Sequence, residues 1–142
     1  MLSRNLEVTI NYKDLELALE FVSSGYEFES SAYLDKETGV IYYDSDESED
    51  ELPEDLFENA KYISIPSKED LGLGKPLAIE YAQKNLPNEL ELVNSFFRSK
   101  GAYSNFKSLL GSKDQLENWY AFERESMKKA ILEWCAENEI SI

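Results

Sequence analysis

Apolar residues recur at helical spacing near both ends of the chain and alternate with polar ones in between, so two kinds of structure are expected. Leu15, Ala18, Leu19 and Val22 stand at i, i+3, i+4 and i+7 and predict one buried helix face. Asn11 suits the cap of that helix, Asp14 its first turn and Gly25 its stop. Residues 26–34 and 40–43 then read as extended runs on either side of Asp35-Lys-Glu-Thr-Gly39, with Gly39 able to take the left-handed position of a hairpin turn. Lys61-Tyr-Ile-Ser-Ile-Pro66 adds a third short strand, closed by its proline.

The second half changes period. Ser67 with Asp70 resembles a helix cap, but Gly72, Gly74 and Pro76 interrupt it, so the helix is expected from about Pro76 to Asn85. Pro87 opens a further helix with Leu90, Val93 and Phe97 on one face, punctuated by Gly101. A short helix follows over Ala102, Tyr103, Phe106, Leu109 and Leu110, ended by Gly111, and Ser112-Lys-Asp-Gln115 fits a capping box. Leu116, Trp119, Tyr120, Glu123, Met127, Ala130, Ile131 and Trp134 continue at helical spacing for about six turns. The sum is an α+β domain over residues 1–142: an N-terminal helix and a small antiparallel sheet of about three strands, then a C-terminal half of about four helices. No internal repeat is visible.

Composition sharpens this picture mainly through charge. The chain has 142 residues, the size of one ordinary domain, and its 42% hydrophobic content is ample for a core. Its 29 acids against 14 bases give a formal net charge of −15. The segment from Asp44 to Glu58 holds nine of those acids and no base, and reads as a solvated loop because so many like charges repel in any compact element. Asp44, Asp46, Glu47, Glu49, Asp50 and Glu51 form its candidate partner surface. So negative a field repels phosphate backbones and anionic membranes, which disfavours generic nucleic-acid or membrane binding and favours a protein partner with a basic surface. Residues 1–10 lack the basic start and apolar block of a secretion signal, and the lone Cys135 has no internal disulfide partner. Both fit a cytoplasmic protein.

Several chemistries lose their footing. The absence of histidine removes the usual neutral-pH base, histidine-assisted nucleophiles and most zinc sites. Asp70-Leu-Gly-Leu-Gly-Lys75-Pro76 has neither the glycine spacing nor the Ser or Thr of a phosphate loop. Asp44, Asp46, Ser48, Asp50 and Asp55 share some spacing with a calcium-binding loop, but Glu49 replaces its glycine and Asp55 its final glutamate. No catalytic residue, metal site or cofactor is expected.

One stretch runs against the charge. Residues 98–113, RSKGAYSNFKSLLGSK, carry Arg98, Lys100, Lys107 and Lys113 and no acid. In one reading the segment joins two helices: Arg98 and Lys100 complement carbonyls at a helix end, Gly101 and Ala102 allow close approach, Tyr103 and Phe106 pack inward, and Lys107 pairs with an acid on a neighbouring element. In the other, Arg98, Lys100 and Lys107 face an anion with Tyr103 available for stacking. Tyr33-Leu-Asp35, Thr38-Gly39, Tyr62-Ile-Ser-Ile-Pro66, the Arg-x-Lys-Gly-Ala-Tyr-x-x-Phe-Lys segment from Arg98 to Lys107, Trp119-Tyr120, Phe122-Glu123 and Glu133-Trp134-Cys135 together resemble uncharacterised protein family one-five-eight of the UPF series, small bacterial proteins. The resemblance spans about residues 7–140. It implies a bacterial, cytosolic, single-domain protein and no reaction, and its signature falls on Arg98, Lys100, Gly101, Tyr103, Phe106, Lys107, Trp119, Tyr120, Phe122 and Glu123.

Three functions follow in order of weight. The first is a protein-binding or regulatory module without catalysis. The second is an anion- or nucleotide-ligand protein or enzyme built on residues 98–107, with Trp119, Tyr120 and Glu123 beside them. The third is an acidic inhibitor that mimics nucleic acid. The sequence leaves oligomeric state open.

Overall fold

The computed structural model describes residues 9–24, 30–45 and 51–142. In chain order the elements are α1 (Tyr12–Ser24), β1 (Ser31–Asp35), β2 (Ile41–Asp44), β3 (Tyr62–Ser64), α2 (Lys75–Asn85), a 3-10 turn (Pro87–Glu89), α3 (Leu90–Phe96), α4 (Ala102–Ser112) and α5 (Leu116–Glu137). Among the described residues this is the expected α+β order, one helix and three strands followed by four helices. Gly25, the expected stop of α1, and residues 26–29 of the first extended run lie outside the described residues. Contacts gather into two compact units: residues 1–71 with 130–142, and residues 72–129, with α5 contributing to both.

In the first unit, the Asn11 side chain caps α1 by accepting the Lys13 N–H at 2.8 Å. Leu15, Ala18 and Leu19 are buried, as their spacing requires. The sheet has the order β2-β1-β3, antiparallel throughout. Ala32 and Leu34 of β1 point into the core beneath α1, and Tyr43 of β2 meets Phe21 of α1 edge-on at 4.9 Å. The β1–β2 turn is built by Asp35, whose Oδ1 accepts the N–H groups of Glu37 at 2.8 Å and Thr38 at 3.3 Å. Gly39 takes the expected left-handed conformation with φ 82°.

After β3, Ser67 and Asp70 do exchange the two bonds of a capping box at 3.0 Å each, yet only a turn forms there and α2 starts at Lys75. The last turns of α5 close this unit with Ile131 and Cys135 in the core. Burial pushes the Cys135 thiol up to about 11. The folded thiol therefore stays protonated at pH 8, and its contribution to stability is complete below the ordinary value of 9.0 and is lost as pH rises toward 11. An aromatic disulfide reagent added at pH 8 should leave the native protein unlabelled and react fully once urea unfolds it; rapid labelling of the native state would show the site to be open.

The second unit is organised around Trp119 at the start of α5. Its ring meets Phe106 of α4 at 5.0 Å and Tyr81 of α2 at 5.4 Å, both edge-on, and Phe122 at 6.1 Å. Tyr81 donates its hydroxyl to Gln115 Oε1 at 2.6 Å. Leu77, Ala78, Val93 and Leu110 are buried in the same unit. The α4–α5 junction corrects the capping expectation. Gly111 does not end α4, which runs to Ser112, and Ser112 Oγ donates to Leu109 O at 2.7 Å instead of capping α5. Asp114 takes the left-handed position at φ 56°, and Gln115 opens α5 by accepting the Trp119 N–H at 2.9 Å. The Gln115 N–H returns to Leu110 O at 2.8 Å, so the reversal is fixed by backbone bonds. Among the described residues, no helix is long and apolar enough to cross a membrane.

Candidate functional site

The basic segment separates into parts with different neighbours. Arg98 and Lys100 are exposed in the turn after α3, where the Arg98 N–H donates to Ser95 O at 3.2 Å, and neither side chain makes an ion pair or hydrogen bond among the described residues. Gly101 supplies a left-handed backbone, φ 76°, as the entry to α4; a Cβ there would meet nothing within 4 Å, so its role is conformational and the expected close helix approach is not its reason. Phe106 and Trp119 are buried core, whereas Tyr103 does not pack inward as expected: it remains 40% exposed, with its ring edge-on to Phe97 at 5.2 Å. Among the described residues Lys107 pairs with no acid; its ammonium lies 5.7 Å from the Tyr120 ring centre. Lys113 is the member of the stretch that finds an acid, Glu89 at 3.0 Å. Tyr120 and Glu123 are partly buried on α5.

Of the acidic candidates, Asp44 is exposed at the end of β2 and Glu51 is exposed, while Asp46, Glu47, Glu49 and Asp50 lie outside the described residues. Beside Asp44 is a feature the sequence reading did not assemble. The register pairs Tyr33 of β1 with Tyr42 of β2 and with Ser64 of β3, and Asp35 with Tyr62. Strand alternation therefore sends Tyr33, Tyr42 and Tyr62 to the sheet face opposite Ala32 and Leu34. The Tyr42 and Tyr62 rings, from the two outer strands, meet at 6.2 Å across the central one. Tyr33 meets Phe57 edge-on at 5.7 Å, and Phe57 is 80% exposed. Val40, on the same side by alternation, is 45% exposed.

Charges border this aromatic face. Lys61 Nζ lies 5.0 Å from the Tyr62 ring centre, 3.6 Å from Asp35 Oδ2 and 3.7 Å from Glu37 Oε1. Burial lowers the affinity of the Lys61 ammonium for its proton, but the negative charges of Asp35, Tyr62 and Glu37 outweigh it and leave the pKa raised. Asp55 is held below the ordinary carboxyl value, first by the Asn59 amide bonding its Oδ2 at 3.1 Å, with Tyr62 and Lys61 adding to the effect. The Tyr62 phenol is pushed up by burial and then by the nearby Asp55 charge. The face thus already holds one ammonium over an aromatic ring between carboxylates.

The first unit also has an open crevice of about 190 Å³ between Leu15 and Leu19 of α1, Ile65 and Pro66 after β3, Leu71, and Ile131 and Trp134 of α5. Its side chains are all apolar, so it lacks the polar groups that orient a small ligand.

The aromatic side of the sheet was half legible: Tyr33, Tyr42 and Tyr62 each alternate with an inward residue, but only the register brings them together. Phe57 gave no signal at all within its acidic surroundings. No curated protein and no solved structure matches the chain. A family model described as Uncharacterised protein family (UPF0158) matches residues 9–142, and the chain belongs to that family.

Proposed function

We propose that the chain is a protein-binding module without catalysis, whose acidic, aromatic sheet face engages partners with a basic surface. The observation that carries this reading is the exposed Phe57 beside Tyr33 on an ordered sheet, within a segment holding nine acids and no base. A rigid sheet presents the rings at a fixed spacing, and the surrounding negative field speeds encounter with a basic partner while it repels acidic ones. A net charge of −15 extends that field over the whole chain.

The test is capture of proteins from a lysate on the immobilised chain at low and high salt, alongside Asp44→Asn/Asp55→Asn/Glu58→Gln. Specific basic proteins should be retained at low salt, released as the Debye length falls to about 3 Å near 1 M, and retained less by the neutralised variant. Enrichment of no basic protein at any salt would refute the reading.

A further inference from the structure

We infer that the sheet face formed by Tyr33, Phe57, Tyr42 and Tyr62 is a receptor for arginine side chains of an extended partner segment, an inference that rests on the protein-binding reading above. The cation Lys61 already demonstrates the chemistry within the chain, with its ammonium over the Tyr62 ring and beside Asp35 and Glu37. Among the described residues, the rings of Tyr33 and Phe57 repeat the aromatic part of that arrangement with no cation over them. Asp55 and Glu58 flank Phe57 in the chain, and Asp44 shares the face of Tyr42 by alternation.

Two described bases near this sheet, Lys36 and Lys61, are already engaged. Lys36 donates to Asn138 O at 3.1 Å, and Lys61 is held between its two carboxylates. A guanidinium suits the rings of Tyr33 and Phe57 better than an ammonium, because it is planar, stacks on rings and still donates to carboxylates at its edge. The same surroundings argue against other occupants of an aromatic face. Nucleobases stack on such rings, but their phosphates meet acids here. A second copy of this chain brings the same acidic border and a net charge of −15, so like faces repel.

The probe is a short peptide of alternating arginine and glycine, compared at low salt with its lysine counterpart, a glutamate counterpart and single-stranded DNA. Wild type should bind the arginine peptide roughly fivefold more tightly than the lysine peptide, and neither anion. Phe57→Ala removes a solvent-exposed ring and should leave the melting temperature unchanged while it erases most of that preference; Tyr33→Leu gives a second reading from the partner ring. Equal binding of the arginine and lysine peptides, or an arginine preference that survives both substitutions, overturns the aromatic site but leaves the acidic module standing. Binding of neither cationic peptide removes the protein-binding reading as well. Preferential binding of the DNA overturns both.

Discussion

Trp119→Ala should be the most damaging single substitution in the second unit, costing about 3–5 kcal/mol, the range for emptying a large aromatic from a packed interior. Trp119 is 1% exposed and touches Tyr81, Phe106 and Phe122, which come from α2, α4 and its own helix. Those rings cannot all collapse into the void, because Tyr81 is tied to Gln115 at its hydroxyl and the α4–α5 reversal is fixed at Leu110 and Gln115. The indole brings a liability of its own: Nε1 is buried with no hydrogen-bond partner among the described residues. Trp119→Phe therefore loses ring area but also removes an unsatisfied donor, and should cost only about 1–2 kcal/mol. Urea denaturation followed by far-ultraviolet circular dichroism measures both. Equal losses for the two variants would mean that the indole N–H matters more than the volume it fills. A native-like midpoint for Trp119→Ala would remove Trp119 as the centre of the unit.

That centre was legible in the sequence because Trp119 and Phe106 sit on regular helical stripes, and a stripe encodes burial directly. The same rule misjudged Tyr103. It stands three residues before Phe106 at the very start of α4, where its ring packs edge-on against Phe97 and stays 40% exposed, so helical spacing alone overstated its burial. Ser112 failed for a different reason. A capping box is a local pattern, and here it competed with bonds made across the reversal, from Gln115 N–H to Leu110 O and from Ser112 Oγ to Leu109 O. Gly39, by contrast, was readable because a left-handed residue is demanded by the hairpin itself. The sheet face shows the limit most clearly. Alternation says that Tyr33, Tyr42 and Tyr62 oppose the core, but which rings meet depends on strand order, and the order β2-β1-β3 places the last strand beside the first rather than the second. Phe57 reaches Tyr33 only through the turn that follows Pro53, where Leu56 N–H bonds Pro53 O at 3.2 Å and buried Leu56 anchors the loop.

Asp35→Ala should cost about 2–3 kcal/mol in the first unit and should also weaken the aromatic face, since one carboxylate supports both. Asp35 is 2% exposed, yet it is a surface-seeking residue, and its burial is tolerated because each oxygen has an assigned partner. Oδ1 accepts two turn N–H groups and Oδ2 faces Lys61 at 3.6 Å. Alanine orphans the turn donors, frees Lys61 from its stronger neighbour and loosens the corner that sets Tyr33 opposite Tyr42. Asp35→Asn keeps an oxygen for the turn, but it gives up the charge and sets an amide NH2, a donor, where Oδ2 faced Lys61. Because the Lys61 side chain is 25% exposed and keeps Glu37, that loss is a partly solvated ion pair, at most about 1 kcal/mol. The expected order is thus wild type, Asp35→Asn close behind, and Asp35→Ala well below, read as urea midpoints. Comparable losses for Asn and Ala would instead make the Lys61 pair the main contribution. The peptide measurement adds an independent axis: Asp35→Ala should lose arginine preference through misplaced rings even under conditions where it remains folded, whereas Phe57→Ala loses it with the sheet intact. A variant that unfolds more easily yet keeps full arginine preference would separate the turn from the face and locate the binding rings elsewhere.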